Sequence, residues 1–80
     1  MIACVRYKDV EQVLLREGFV CLGMVEDLVV FECRDRPDGK PQLCSIHRPN
    51  PMDTIAETSL IESFEEAEIE IPNWDVVWSD

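Results

Sequence analysis

The sequence predicts a single α+β domain spanning residues 1–80, in which two helices cover one face of a three-stranded antiparallel sheet. Three observations predict it. Apolar residues recur at helical spacing in two segments, one toward each end of the chain. Three β-branched or aromatic runs lie between those segments, parted by turn residues. At 80 residues the chain is too short to divide into two cores.

The first helix is expected over about Lys8 to Glu17. Asp9 can accept an orphan backbone N–H, and Gln12, three residues on, can complete a capping box. Val10, Val13 and Leu14 then form an apolar stripe, which Gly18 ends by supplying a left-handed residue. Phe19-Val20-Cys21-Leu22 reads as a first strand and Gly23 to Asp27 as a turn. Leu28 to Cys33 is the strongest strand in the chain. Pro37-Asp38-Gly39 is a turn with a mechanism, proline presetting φ and glycine accepting a positive one. Gln42 to Arg48 follows as a third strand, closed by Pro49 and Pro51, which cannot donate to a ladder.

Thr54-Ile55-Ala56-Glu57 repeats the capping signature ahead of a second helix, running from about Thr54 or Thr58 to Ala67. Its stripe is Ile55, Leu60, Phe64 and Ala67. Pro72 breaks any continuation, and Trp74, Val76 and Trp78 alternate like a short strand or a docked tail. The pattern leaves open whether residues 1–6 add a strand. No internal repeat is evident. Phe19, Cys21, Val29, Phe31, Ile46, Val13, Leu14, Leu60 and Phe64 are the expected core.

Composition excludes several classes. With 46% hydrophobic residues the chain is no disordered acidic tail, and three glycines and five prolines exclude a collagen-like one. No apolar run approaches the ~18 residues a bilayer span requires. Met1 to Arg6 offers no signal-peptide core, so a cytoplasmic setting is expected. Cys4, Cys21, Cys33 and Cys44 form no close pairs, and His47 is the single histidine. Zinc ligands normally come in closely spaced pairs, so free, buried thiols in a reducing compartment are the better reading, with no metal or cofactor.

Charge is the most informative property. Residues 1–48 carry eight acids and seven bases, whereas residues 49–80 carry nine acids and no base, together giving the net −10. A domain this small cannot hide those carboxylates, so they face water or a partner. Such a field repels nucleic-acid phosphates and attracts basic protein surfaces.

Glu17-Gly18-Phe19-Val20, Pro37-Asp38-Gly39, Ile46-His47-Arg48-Pro49, and Leu60, Phe64, Ala67 and Ile69 give the chain a shape that resembles the HicA toxin family over roughly residues 8–70. The resemblance implies a fold similar to double-stranded-RNA-binding domains and an activity, messenger-RNA cleavage, within toxin–antitoxin systems. It also implies a catalytic histidine opening the second strand. At that place this chain reads Gly23-Met24-Val25-Glu26-Asp27-Leu28, with no histidine.

His47 is therefore the remaining catalytic candidate, with Arg48 beside it as a phosphate anchor. Ser45 has no triad order to support it as a nucleophile. Asp35, Asp38 and Asp53 lack the spacing of a calcium loop, and Arg34, Arg36, Lys40 and Arg48 form at most a local basic spot at the second hairpin. The acidic helix and tail carry the stronger signal: Glu57, Glu62, Glu65, Glu66, Glu68 and Glu70 make a negative rim around the apolar anchors Trp74 and Trp78. The expected function is a non-catalytic, acidic protein-binding module that inhibits or regulates a basic nucleic-acid-handling protein. In size and charge it resembles acidic antitoxins and anti-CRISPR inhibitors. Neither nucleic acid nor membrane is an expected direct partner. The alternative is a divergent HicA-like ribonuclease using His47.

Overall fold

A computed structural model describes residues 1–34, 37, 39–50 and 52–79. The elements run β1 (Ile2–Arg6), α1 (Tyr7–Arg16), β2 (Val20–Val25), β3 (Leu28–Cys33), β4 (Gln42–His47), β5 (Thr54–Ala56), α2 (Glu57–Glu66) and β6 (Val76–Ser79). The protein is α+β, with two helices and two three-stranded antiparallel sheets ordered β5-β1-β6 and β2-β3-β4.

The sequence alone leads to one sheet, so the second is a correction. Residues 2–6 form a central strand, and Thr54–Ala56, which imitates a helix cap, is a strand beside it. The deciding fact is burial. Val5 and Ile55 are register partners that both enter the core, and pairing satisfies the backbone that follows them inside. Neither helix then has a side-chain cap; Arg6 and Ala56 lead from extended backbone straight into the first turn. Asp9 lies within the first turn of α1, favouring it through the helix dipole without capping it. The Tyr7 N–H donates to the Asp53 carbonyl at 2.9 Å.

The two strand–helix units share one backbone design at an offset of fifty residues. Helix α1 covers Tyr7–Arg16 and α2 covers Glu57–Glu66. Glu17, Gly18 and Phe19 N–H groups donate to Val13, Leu15 and Leu14, while Ala67, Glu68 and Ile69 donate to Ser63, Glu65 and Phe64. Strands β1 and β5 pair with Val5 opposite Ile55, so an approximate two-fold axis passes between them.

Between the units, Leu28–Cys33 forms as the sequence predicts and β4 ends one residue sooner, at His47. Strand β2 is longer than expected: Gly23 is not in the turn but at a bulge between Cys21 and Gly23, with φ of 126°. The turn shrinks to Glu26 and Asp27, Glu26 adopting a left-handed φ of 57°. The expected turn at Pro37-Asp38-Gly39 includes Asp38, which lies outside the described residues, as do Asp35, Arg36 and Pro51.

Val5, Val10, Leu14, Phe19, Phe31, Ile46, Ile55, Leu60, Phe64, Ala67 and Ile69 lie in one buried cluster. Of the expected core, Cys21 is exposed because β2 is a sheet edge, and Val13 is half-buried against the cluster. The cysteines are free; Cys4, Cys33 and Cys44 are buried. Two of those thiols reach helix ends, Cys33 Sγ lying 3.9 Å from the Glu17 carbonyl and Cys44 Sγ 3.9 Å from that of Ser63. Burial, with a smaller contribution from the Glu66 carboxylate, pushes the Cys44 thiol up to about 11.

Candidate partner-binding surface and neighbouring cavities

Helix α2 turns Leu60 and Phe64 inward, and the spacing of its glutamates puts them elsewhere. Glu62, Glu65 and Glu66 are exposed, while Glu57 is half-buried in the first turn, where a carboxylate suits the dipole. Glu68 and Glu70 follow the helix and are exposed, Glu68 with a left-handed φ of 59°. The last turn of α2 contains no base, so Glu65 and Glu66 stand at the negative end of the dipole. Among the described residues, Glu62, Glu65 and Glu66 have no ion-pair partner.

The two tryptophans part company. Trp74 packs edge-on against Phe64, ring centroids 5.6 Å apart and planes at 65°, and joins the margin of the core. Its Nε1 is buried without a hydrogen-bond partner. Trp78 is 65% exposed on β6. Since β6 and β5 lie on opposite sides of β1, and α2 follows β5, the sheet places Trp78 across from the acidic helix.

His47 is exposed at the end of β4, in register with Leu28. It lines neither of the cavities below. Among the described residues, Arg48 does not join the basic spot expected at the second hairpin. Arg34 pairs with Glu32 just past the end of β3, whereas Arg48 follows β4 at the other end of the same ladder, opposite Asp27, about 23 Å away at ~3.3 Å per residue. Arg36 lies outside the described residues. Among the described residues no group of three His, Cys, Asp or Glu side chains is placed to hold a metal ion. Among the described residues no helix is long and apolar enough to cross a membrane.

Two cavities flank the start of α1. The first, about 610 Å³, is lined by Cys4, Arg6, Tyr7, Lys8, Met52, Asp53, Thr54, Val77 and Trp78. A second, about 720 Å³, includes Tyr7, Cys21, Met24, Val29, Arg48 and Asp53. Asn50 shapes the loop between them: its side-chain oxygen accepts from the Met52 and Thr54 N–H groups, and its amide donates to the Thr54 hydroxyl at 2.8 Å. Burial and the neighbouring Glu11 carboxylate raise the Tyr7 phenol above its ordinary value. The sequence pattern reveals none of this, because the first cavity depends on where residues 2–6 go and the second on the Asn50 loop meeting Tyr7 and β2. The available signal is alternation along Cys4-Val5-Arg6, which places Arg6 and Cys4 on one face of a strand.

No family model, curated protein or solved structure matches this chain.

Proposed function

We propose that the exposed end of α2 and the segment after it bind a basic, nucleic-acid-handling protein and inhibit it by covering its phosphate-binding groove. One observation carries the reading: Glu65 and Glu66 crowd the carboxyl end of a helix, with Glu62 one turn earlier and no base in the last turn. Each carboxylate there opposes the dipole by about 0.3–1 kcal/mol. A cationic partner converts that cost into binding energy and speeds encounter. Glu57, Glu68 and Glu70 extend the field, and Trp78 offers an apolar anchor beyond it. Trp74 contributes by holding the tail against Phe64. Three buried free thiols suit the reducing cytoplasm.

The test is retention of a basic nucleic-acid-binding protein by the immobilised chain at low salt, with loss of that protein's nucleic-acid binding. The triple change Glu62→Lys, Glu65→Lys and Glu66→Lys should abolish both. Tight binding of an oligoribonucleotide at ordinary ionic strength, with no companion protein, would overturn the proposal.

The alternative, a divergent HicA-like ribonuclease, draws on the succession α1, β2, β3, β4 followed, after the short β5, by α2. It needs growth arrest on expression that His47→Ala relieves. The exposed position of His47, outside both cavities, weighs against it.

A further inference from the structure

We propose that the cavity on the outer face of the β5-β1-β6 sheet is a binding site for a small aromatic anion. Its floor follows from the strand register. Cys4 opposes Val77 and Arg6 opposes Thr54, so these four share a face, opposite the one on which Val5 and Ile55 enter the core. Cys4 is 4% exposed and Thr54 8%, yet neither belongs to the main core cluster; they are the sheltered bottom of a recess.

The walls suit a ring. Tyr7 lines the recess at the start of α1, and Trp78, which its register partner Ala3 sets on the face of Val5, reaches the recess from the edge strand β6. About 610 Å³ falls within the ~300–1,000 Å³ of small-molecule sites. The rim supplies the charge. Arg6 and Lys8, two of the chain's seven bases, line the cavity and are exposed, with Asp53 as the opposing carboxylate. Two cations against one carboxylate leave one positive charge over. The neighbouring cavity shares Tyr7 and Asp53, but Arg48 is its single cation and no surplus remains. A local positive surplus beside an aromatic wall, in a chain of net charge −10, is what selects an aromatic anion over a neutral ring.

The inference does not rest on the glutamates of the proposed partner surface, although Trp78 belongs to both. Two dyes of the same ring system separate charge from apolarity: 1-anilinonaphthalene-8-sulfonate and its uncharged parent, N-phenyl-1-naphthylamine. The sulfonate should bind the full chain at one equivalent, saturably, with energy transfer from tryptophan. Its affinity should exceed that of the neutral dye by ~10-fold, the factor one charge-assisted contact supplies. Arg6→Gln with Lys8→Gln should remove that preference and leave the neutral dye unaffected. Raising salt on the unmodified protein should narrow the gap between the dyes. Val25→Ser with Leu43→Ser, on the outer face of the other sheet, should change nothing. Equal binding of the two dyes overturns the proposal. So does a preference that survives the glutamine variant or added salt, or one that the serine variant abolishes.

Discussion

The two strand–helix units trace the same backbone and carry opposite chemistry. In the first, Arg16 sits in the last turn of its helix and Gly18 occupies the left-handed position beyond, at φ 91°. Both choices agree with what a helix end favours. In the second, the matching residues are Glu66, which opposes the dipole, and Glu68, which takes a φ of 59° that side chains other than glycine rarely adopt. The inward residues match in kind: Val10 with Leu60, Leu14 with Phe64, Phe19 with Ile69. The packing face obeys one rule in both units and the outer face does not. The second unit thus departs from the choices that stabilise a helix end, and that departure is what supports the proposed partner surface.

Substitutions at matched positions measure how far the two units are equivalent. The largest effect is expected from Phe64→Ala, which also removes the support of Trp74 and should cost about 3–5 kcal/mol by denaturant titration; Leu14→Ala, its counterpart, should cost about 2–5. A much smaller loss at Phe64 would mean that the second unit is not the equal of the first in the core. Alkali probes the second unit next. Cys44 is held neutral in the fold, with its pKa raised from 9.0 to about 11, so its stabilisation is complete below pH 9 and lost between there and about 11. Cys44→Ala should lower stability at neutral pH yet flatten that alkaline decline, as seen in thermal unfolding against pH.

Smaller effects set the helix ends against each other. Gly18→Ala should cost about 1–2 kcal/mol from backbone strain alone, since an added Cβ would meet Cys33 Sγ at an ordinary 3.5 Å. Glu68→Gly should gain up to about 1 kcal/mol. Smallest of all, Glu66→Lys should stabilise the free protein by about 0.3–1 kcal/mol and Arg16→Glu should destabilise it equally. If Glu66→Lys stabilises and partner capture survives, the acidic end of α2 is not the binding surface.

The middle of the fold was legible because it obeys local rules. Leu28–Cys33 is β-branched and aromatic throughout, and both helices carry a period-3.6 stripe ending at Leu14 and Phe64. The outer sheet was not, because its strands are short and form only by pairing with one another. Thr54–Ala56 has three residues, and its Thr-x-x-Glu spelling argues for a helix cap with equal force. The repeat was invisible for a plainer reason. None of residues 4–19 is identical to its counterpart fifty positions later, although the backbone bonds coincide. The negative rim was readable from composition. The cavity with Arg6, Lys8 and Trp78 was not, since it needs residues from both ends of the chain brought to one sheet.

The bulge in β2 has a bearing on how the molecule behaves in a crowded solution. Val20, Leu22, Met24 and Val25 are each more than half exposed along an unpaired strand edge, the kind of template onto which another chain's strand can zip. The kink at Gly23 spoils that template's straightness, and mutual repulsion between copies at −10 keeps them from testing it. Acidification toward the isoelectric point near 4.3 removes the repulsion and leaves the kink as the local defence. Colloidal stability, unlike fold stability, is thus in large part the gift of the same glutamates that strain the second helix.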